Sequence, residues 1–424
     1  MSVAIFFSDR TMTPSLLLAV PRVKWYHTMA RGLPASILII FFVCVIQSTT
    51  FWQVFHQRPI PSSRTATDQR NQPPQRPNTS VSTSSTTISQ PPVQVYILMV
   101  QSNLLGFGLV RGRKSGSLEY AVHEHGLFPY LIDKRGQWAQ RRNVRYVRVV
   151  EGLQQSNARI VSVANVTENK WLRVSATGRI GPEFGIGHTL ADSAPKDSRI
   201  MLIKSCAGNR ALGWDLLPPG SKRFQVTDRS NNVTWVYAGY KDAPHRWELG
   251  TEPKQVQPGD WYAGKQYDGD IARAQHILNN IGEYYPGATE YQVAGFFWWQ
   301  GNKDSQSTVY SKRYRLNLAR LIKELRRDFQ APHAKFVCAS LGEAKKGSVN
   351  NAGRILKAMQ KVDGRSGQYP KFAGNVGYVY THPLIRGNGY SGNHYNLHAE
   401  TFMNVGEAMG KDMVRLQRLK SHES

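Results

Sequence analysis

Four short runs of almost uninterrupted apolar residues constrain the fold of this chain more than any other feature of its sequence. They lie at residues 95–100, 200–204, 293–299 and 335–338. Such runs predict strands that are buried on both faces, as in a parallel sheet covered by helices on both sides. The chain is therefore predicted to be an α/β protein with a mainly parallel central sheet.

Two longer segments carry the pattern of amphipathic helices. Residues 314–329 and 399–416 place apolar side chains at helical spacing, so each predicted helix is expected to pack its apolar stripe against the sheet. Aromatic residues make up 11% of the chain. That content is enough to build a large core and still leave aromatic side chains for a sugar-binding cleft.

A basic and then apolar stretch near the start predicts export from the cytoplasm. Arg22, Lys24 and Arg31 precede an apolar run at residues 33–46, which is the order found in signal peptides and signal anchors. The run is short for a membrane-spanning helix, and no Ala-x-Ala cleavage motif follows it. We expect an exported protein, either secreted after cleavage or held at the membrane by an uncleaved transmembrane or interfacial segment.

These patterns divide the chain into three parts. Residues 1–57 form the predicted signal peptide or signal anchor. Residues 58–92 are rich in Ser, Thr, Pro and Gln and have almost no large apolar residue, so they are predicted to be a flexible linker. Residues 93–424 contain all four apolar runs and both helical segments, and they are predicted to form the functional domain.

The chain is strongly basic, with a formal net charge of +25 at pH 7. This charge would attract polyanions such as nucleic acid, anionic lipid or an acidic polysaccharide. The basic residues are scattered in short groups, among them Arg111, Arg113 and Lys114, and no nucleic-acid-binding motif accompanies them. We therefore expect no nucleic-acid partner, and the charge is compatible with an acidic carbohydrate.

Cysteine and histidine usage gives no sign of a disulfide framework or a metal centre. Cys206 and Cys338 each stand at the end of an apolar run, so both are expected to be buried free thiols. His123 and His125 flank Glu124. Adjacent residues of a helix or a strand cannot point at one ion, so no metal is expected there.

A serine follows the first apolar run, at the predicted end of its strand. The sequence there reads Gln101-Ser102-Asn103. Ligands of open α/β sheets bind outside the carboxyl ends of the strands, and a helix that starts there offers backbone N–H groups to a developing oxyanion. Ser102 is therefore a candidate nucleophile, although a serine in this position can also simply cap a helix.

Polar residues follow other apolar runs at the same predicted edge. Gly208 comes after the second run, where a residue without a side chain can bring its N–H close to a substrate oxygen or simply form a turn. Gln300 and Asn302 follow the third run. His394 lies in a loop before the last predicted helix, from which it could reach Ser102 as a general base.

Together, the segments around Ser102, Gly208, Gln300 and His394 resemble the SGNH hydrolases, and more closely their sialate O-acetylesterase-like carbohydrate esterase branch. The resemblance spans about residues 93–413. It implies a three-layer α/β/α sandwich of the SGNH or flavodoxin type with no metal or organic cofactor. It also implies a serine esterase that hydrolyses acetyl or other acyl esters on carbohydrate, as sialate O-acetylesterases and acetylxylan esterases do.

The resemblance implies a catalytic role for each matching residue. Ser102 would be the nucleophile and His394 its general base. The oxyanion hole would be formed by the backbone N–H of Ser102, by Gly208, and by an amide of Gln300 or Asn302. An acyl-enzyme would form and then be hydrolysed by water.

The resemblance also implies residues that contact the substrate, which would be an acetylated oligo- or polysaccharide. These are Gln101, Asn103 and Trp299.

One position departs from the family pattern. The final block of the family is Asp-x-x-His, but the residue three before His394 is Ser391. The acid that orients the histidine is thus absent from its expected place, and replacing that acid by its amide costs about ten-thousandfold in turnover in the well-studied triad. Asp304 and Glu183 are candidate substitutes, as is a backbone carbonyl. Asp304 could equally cap the segment after it, and Glu183 could pair with an arginine.

Two other functions remain open at this point. Loss of the orienting acid would leave a catalytically impaired carbohydrate-binding protein on the same fold. A cationic surface adhesin would instead bind polysaccharide mainly through its charge. Acetate release from a simple acetyl ester separates the esterase from both.

Overall fold

The computed structural model describes residues 90–100, 102–150, 166–388 and 393–419, which all belong to one compact unit, Ser85–Ser424. The predicted signal segment and almost all of the predicted linker lie outside the described residues. Within the described part, no helix is both long enough and apolar enough to cross a membrane.

The strands are numbered along the described chain. They are β1 (Val93–Val100), β2 (Gly108–Leu109), β3 (Arg141–Val150), β4 (Val166–Leu172), β5 (Arg179–Ile180), β6 (Ile200–Cys206), β7 (Phe224–Asp228), β8 (Val233–Tyr237), β9 (Arg246–Glu248), β10 (Tyr291–Trp298), β11 (Lys335–Ala339) and β12 (Val376–Val379).

The α-helices are numbered in the same way. They are α1 (Ser102–Leu105), α2 (Leu118–His123), α3 (Glu183–Ser193), α4 (Lys265–Asn279), α5 (Ile281–Tyr284), α6 (Asn302–Ser305), α7 (Thr308–Asp328), α8 (Asn351–Val362) and α9 (Ala399–Arg418).

Side-chain caps mark where several of these helices begin. Ser117 accepts a hydrogen bond from the N–H of Tyr120 at the start of α2, and Ser307 accepts one from the N–H of Tyr310 at the start of α7. Asn350 does the same at the start of α8. Each cap satisfies a backbone N–H that has no partner inside the helix, and such a cap typically stabilises a helix by about 1 kcal/mol.

Seven strands form the central sheet in the order β12-β11-β10-β1-β6-β3-β4. All neighbours are parallel except β3 and β4, which pair antiparallel at one edge. The four predicted strands are β1, β6, β10 and β11, and they lie side by side in the middle of the sheet. Every residue of β6 is buried, as its continuous apolar sequence predicted.

Helices cover both faces of the sheet, which confirms the predicted three-layer α/β/α class. Helices α3 and α9 pack against each other, and α7 packs against α8. The chain runs from β6 to β10 and then outward to β11 and β12, so right-handed crossovers place α4, α7 and α8 on one face. Helices α3 and α9 lie on the other face.

The predicted apolar stripes face the core. In α7 the stripe includes Tyr314, Leu318 and Leu325, and in α9 it includes Phe402 and Met409, all of them buried. Phe329, the last member of the predicted first stripe, comes just after the end of α7 and is partly buried. Both predicted helices are therefore confirmed.

Two parts of the fold were not predicted. Strand β3 carries several arginines and has no continuous apolar run, but its Val144, Val147 and Val149 are buried in the sheet. A separate antiparallel sheet, β7-β8-β9, lies between β6 and α4 and has its own small core around Val236 and Trp247. Its short strands lack the long apolar runs that identified the central strands.

The two cysteines of the domain are free and buried, as predicted. Burial raises the pKa of the Cys206 thiol to about 12. The thiol is therefore protonated at neutral pH and is a poor nucleophile.

Candidate functional site

The register of the central strands brings three predicted site segments to one edge of the sheet. Val100 in β1 lies opposite Cys206 in β6, and Met99 lies opposite Trp298 in β10. Each candidate residue lies two positions after the last residue of a strand. They are Ser102 after β1, Gly208 after β6 and Gln300 after β10.

His394 lies beside the segment that follows Ser102. Its ring stacks on Phe107, with the ring centroids 3.8 Å apart and an angle of 13° between the planes. Phe107 comes just after α1, the short helix that starts at Ser102. The structure thus brings the predicted base to the chain segment of the predicted nucleophile.

The surroundings of His394 favour its neutral form. Partial burial lowers the pKa of the His394 imidazole, and the positive charge of Arg179 lowers this pKa further. The Arg179 guanidinium lies over the Phe107 ring, 5.7 Å from its centroid. A neutral imidazole can accept a proton, so this environment suits a general base at neutral pH.

The backbone around His394 adopts an unusual conformation. His394, Tyr395, Asn396 and Leu397 all have φ between 50° and 59°. Residues other than glycine rarely adopt this left-handed region, and each such residue costs on the order of 1 kcal/mol or more. Four in succession require strong contacts from the rest of the protein.

Tyr395 supplies those contacts. Its hydroxyl accepts hydrogen bonds from the N–H of Gly342 at 3.2 Å and from Nδ2 of Asn103 at 3.3 Å. Its ring stacks on Trp299, with centroids 5.4 Å apart and planes 7° from parallel. The indole N–H of Trp299 in turn donates to the carbonyl oxygen of Ser340. Tyr395 therefore ties the His394 loop to the ends of β1, β10 and β11.

This arrangement changes how two predicted substrate contacts are interpreted. Trp299 is completely buried, so its ring supports Tyr395 and offers no exposed face to a sugar. Asn103 is 6% exposed, and its amide donates to Tyr395. Gln101, the third predicted contact, lies outside the described residues.

The structure distinguishes between the two predicted amide donors, Gln300 and Asn302. Gln300 is completely buried, and its Nε2 donates both to the carbonyl oxygen of Arg210 and to Oδ2 of Asp304. Both amide hydrogens of Gln300 are thus already used. Asn302 begins α6 and is exposed, with Nδ2 at 3.4 Å from Oε1 of Glu343. Only Asn302 of these two presents its amide to a ligand.

Asp304, a candidate acid partner, has a different set of partners. Its carboxylate accepts hydrogen bonds from the N–H groups of Leu212 and Gly213, both at 2.8 Å, and from Gln300 at 2.6 Å. Burial raises the pKa of Asp304 to about 6, against the opposing effect of these hydrogen bonds. The carboxylate joins the segment after β6 to the segment after β10.

Glu183, the other candidate, is part of a buried ion pair. Its Oε2 lies 3.0 Å from Nζ of Lys204, and its Oε1 accepts a hydrogen bond from the N–H of Gly181. Both side chains are almost completely buried. Among the described residues, no carboxylate lies within ion-pair distance of His394, and Ser391 falls outside that part of the chain.

A known protein family matches the later part of the chain, which carries some of these site residues. Residues 248–415 match the family described as carbohydrate esterase, sialic acid-specific acetylesterase. The resemblance inferred from the four segments is thereby confirmed. The matched region includes Gln300, Asn302, Asp304 and His394, whereas Ser102 comes before it.

Several solved structures are similar to this chain at low sequence identity. A protein from Arabidopsis thaliana is 14% identical with a TM-score of 0.43, over 76% of this chain and 98% of its own. A carbohydrate acetylesterase from Xanthomonas citri is 14% identical with a TM-score of 0.42, over 75% of this chain and 54% of its own. NanS is 12% identical with a TM-score of 0.39, over 77% of this chain and 98% of its own. No curated protein matches the chain.

Three residues of the candidate site were not predicted from the sequence. Tyr395 is adjacent to the predicted base, and a large aromatic residue at that position was an available signal. Phe107 follows the Ser102 segment, but its sequence context does not indicate that its ring stacks on His394. Arg179 is far from both in the sequence, and only the fold brings its charge to the site. Within the described residues, no group of three or more metal-ligating side chains occurs.

Proposed function

We propose that this carbohydrate esterase removes O-acetyl groups from carbohydrate through a Ser102–His394 pair. The observation that carries the proposal is the position of His394, stacked on the segment that follows Ser102 at the carboxyl edge of the sheet. The same edge carries Gly208 and Asn302, which can supply oxyanion donors. The proposed substrate is an acetylated oligo- or polysaccharide of the kind that sialate O-acetylesterases or acetylxylan esterases hydrolyse.

The proposed reaction follows the acyl-enzyme route. The Ser102 oxygen attacks the acetyl carbonyl carbon while His394 accepts the hydroxyl proton. The backbone N–H groups of Ser102 and Gly208, with the amide of Asn302, stabilise the tetrahedral oxyanion. Loss of one such donor typically reduces kcat by about 100- to 1,000-fold. His394 then donates its proton to the departing sugar oxygen as the C–O bond breaks, and water releases acetate from the acetyl-enzyme in a second step of the same kind.

The partners of the two candidate acids support a Ser–His pair without an assisting carboxylate from either of them. Asp304 and Glu183 use their oxygens for other hydrogen bonds and for the Lys204 ion pair. The lowered pKa of His394 keeps its imidazole neutral, which gives a competent base in the resting enzyme. Stabilisation of the imidazolium in the transition state would then come from elsewhere or be weaker than in a full triad.

The experiment that tests the proposal compares wild type with Ser102→Ala. Acetate release is measured from 4-nitrophenyl acetate, acetylated xylan and an O-acetylated sialoside. We expect Ser102→Ala to lower kcat by about ten-thousandfold or more, because the nucleophile of the acyl-enzyme route is removed. Ser198→Ala is the matched control, since Ser198 precedes β6 at the opposite edge of the sheet.

A second candidate function is favoured by one observation. No carboxylate of the described residues orients His394, so the chain could be a carbohydrate-binding protein with little turnover. In that case wild type and Ser102→Ala would both bind an acetylated oligosaccharide and neither would release acetate. Wild-type turnover that survives in Ser102→Ala would instead reject the assigned nucleophile.

Export of the protein is part of the proposal, and it rests on the sequence. The basic and apolar pattern within residues 1–57 supports either secretion or anchoring at the membrane. An extracytoplasmic location suits an enzyme whose substrate is a polysaccharide. Cell fractionation of the full chain, with the N-terminal residue of the mature protein determined, separates secretion from anchoring.

A further inference from the structure

A cavity lies beside the loop that carries His394. Its volume is about 620 Å³. One wall is formed by the loop between β2 and α2, with Arg111, Arg113 and Lys114. Asn396 and His398, which follow His394 in the chain, also line the cavity. The cavity is therefore adjacent to the proposed catalytic base.

Among the described residues, the three cations of this cavity wall have no carboxylate partner. Arg111, Arg113 and Lys114 are exposed, and none of them forms an ion pair with a carboxylate in the described part of the chain. Glu119, a carboxylate that this loop does contact, accepts a hydrogen bond from the N–H of Gly112 at 2.9 Å. The wall therefore carries a net positive charge that is available to a ligand.

A neighbouring cavity has two of its three cations paired with a carboxylate. It has a volume of about 410 Å³, and Phe107 is one of the residues that line it. Of its three basic residues, Arg148 and Lys170 pair with Glu168, and Arg179 forms no ion pair with a described carboxylate. Within the described residues, the larger cavity thus presents three cations without a carboxylate partner, and the smaller cavity presents one.

The cationic loop is held in place by hydrogen bonds. The Ser117 hydroxyl donates to the carbonyl oxygen of Gly112 at 2.7 Å and also caps α2. The N–H of Ala399 donates to the carbonyl oxygen of Gly116 at 2.7 Å, which joins this loop to the start of α9. Because the loop is fixed, its cations lose little conformational freedom in the backbone when they bind a ligand.

The other residues of the cavity suit a sugar. Leu109 is 38% exposed and offers an apolar surface to a sugar ring. His398 is 8% exposed, and burial lowers the pKa of its imidazole, with a smaller opposing contribution from Glu400. His398 is therefore neutral at neutral pH, and the positive charge of the cavity comes from the arginines and the lysine alone.

We infer that this cavity is a subsite for an anionic sugar residue that neighbours the acetylated residue of a polysaccharide. The inference rests on the proposed function, since it places the acetyl group at Ser102 and His394. The anionic group is a carboxylate or a sulfate, because guanidinium and ammonium groups bind both through charge-assisted hydrogen bonds. The substrate would then be a polyanionic chain, for which the basic surface of the protein adds long-range attraction.

The test measures binding by calorimetry and needs no turnover. The full chain is titrated with non-acetylated probes of equal length, namely an oligogalacturonide, a sulfated galactan oligosaccharide and a neutral xylo-oligosaccharide. The variant is Arg113→Gln with Lys114→Gln. We expect it to bind at least one anionic probe about tenfold more weakly than wild type and to bind the neutral probe as wild type does.

The matched control removes two positive charges at the other edge of the sheet. Lys323 lies in the last part of α7, and Lys371 lies shortly before β12. Both are exposed, and both belong to the amino-terminal edge, away from Ser102. Lys323→Gln with Lys371→Gln changes the net charge by the same amount, and we expect it to leave the affinity for the anionic probes unchanged.

The outcomes separate the anions and the alternatives. Weakened binding of the oligogalacturonide alone assigns a carboxylate, and weakened binding of the sulfated probe alone assigns a sulfate. Equal losses in both double variants would overturn the inference, because net charge would then explain them. A single-stranded DNA that binds as tightly and weakens in the same variant would also overturn it. The proposed function is tested separately: if it is wrong, the wild-type protein does not hydrolyse 4-nitrophenyl acetate.

Discussion

The strand ends that carry Ser102 and Gly208 and the loop that carries His394 are held in place in different ways. The strand ends are fixed by a ladder of backbone hydrogen bonds, which sets Val100 opposite Cys206. The loop has no strand neighbour, and its left-handed backbone is held mainly by the contacts of one side chain, Tyr395. The proposed nucleophile and oxyanion donors therefore depend on the sheet, whereas the proposed base depends on a few side-chain contacts.

This difference has a consequence for how mutations act. A side-chain substitution cannot remove a backbone ladder, so the strand ends tolerate changes that leave the core intact. The loop depends on two hydrogen bonds and one stacked ring, so a small change at Tyr395 can move His394. A displacement of about 1 Å can cost about 100-fold in rate when reacting groups must be aligned.

The largest expected effect comes from removing the base itself. We expect His394→Ala to lower kcat by about ten-thousandfold or more on an acetyl ester, because proton transfer from Ser102 is lost. Its free energy of unfolding should change by less than about 1 kcal/mol, since the ring is only half buried. The measurements are initial rates and urea unfolding.

His333→Ala is the control for this prediction. His333 is exposed just before β11, at the edge of the sheet opposite Ser102. It should keep the wild-type rate. If His394→Ala retained a comparable rate, the loop would not carry the base.

The second prediction concerns the strand ends. Asp304→Asn keeps one acceptor oxygen but turns the other into an NH2 group, so that one of the Leu212 and Gly213 N–H groups faces a donor. We expect the free energy of unfolding to fall by about 2–4 kcal/mol, while kcat per folded molecule changes only a few-fold. Urea unfolding and active-site titration measure the two quantities.

The same variant decides whether Asp304 assists His394. An orienting acid would show the reverse pattern, with kcat reduced by about ten-thousandfold and stability retained. Asp197→Asn is the control, since Asp197 is exposed in the segment before β6. It should change neither quantity.

The third prediction tests the anchor of the loop. Tyr395→Phe keeps the stacked ring but leaves Gly342 and Asn103 without their acceptor. We expect kcat to fall by about 10- to 100-fold through misplacement of His394, with KM little changed. The cost in unfolding free energy should be about 1–3 kcal/mol.

Tyr267→Phe separates positioning from stability. Tyr267 is a buried tyrosine whose hydroxyl donates to Asp328 at 2.6 Å. Its loss should destabilise the protein by a similar amount without lowering kcat. Equal activity losses in both variants would show that Tyr395 acts only through the general stability of the fold.

The same contrast explains what the sequence could predict. Continuous apolar runs specify buried strands, and polar residues after them specify the active edge, so β1, β6, β10 and β11 and the position of Ser102 could all be inferred. The partners of Asp304 and Glu183 could not, because buried carboxylates take their partners from distant segments, such as Lys204 for Glu183. The roles of Phe107, Arg179 and Tyr395 depend on contacts that neither periodicity nor spacing encodes.

The smallest expected effect concerns the charge that faces His394. Arg179 lowers the pKa of His394, and only the neutral imidazole accepts a proton, so kcat/KM rises as pH increases through that pKa. Arg179→Gln should therefore raise this pKa and move the acidic limb of the profile to higher pH, leaving the rate at alkaline pH unchanged. The shift should shrink at high ionic strength, because Arg179 is exposed and its charge is screened. Arg173→Gln, an exposed arginine after β4, should leave the profile in place, and a shift to lower pH in Arg179→Gln would contradict the assignment of His394 as the base.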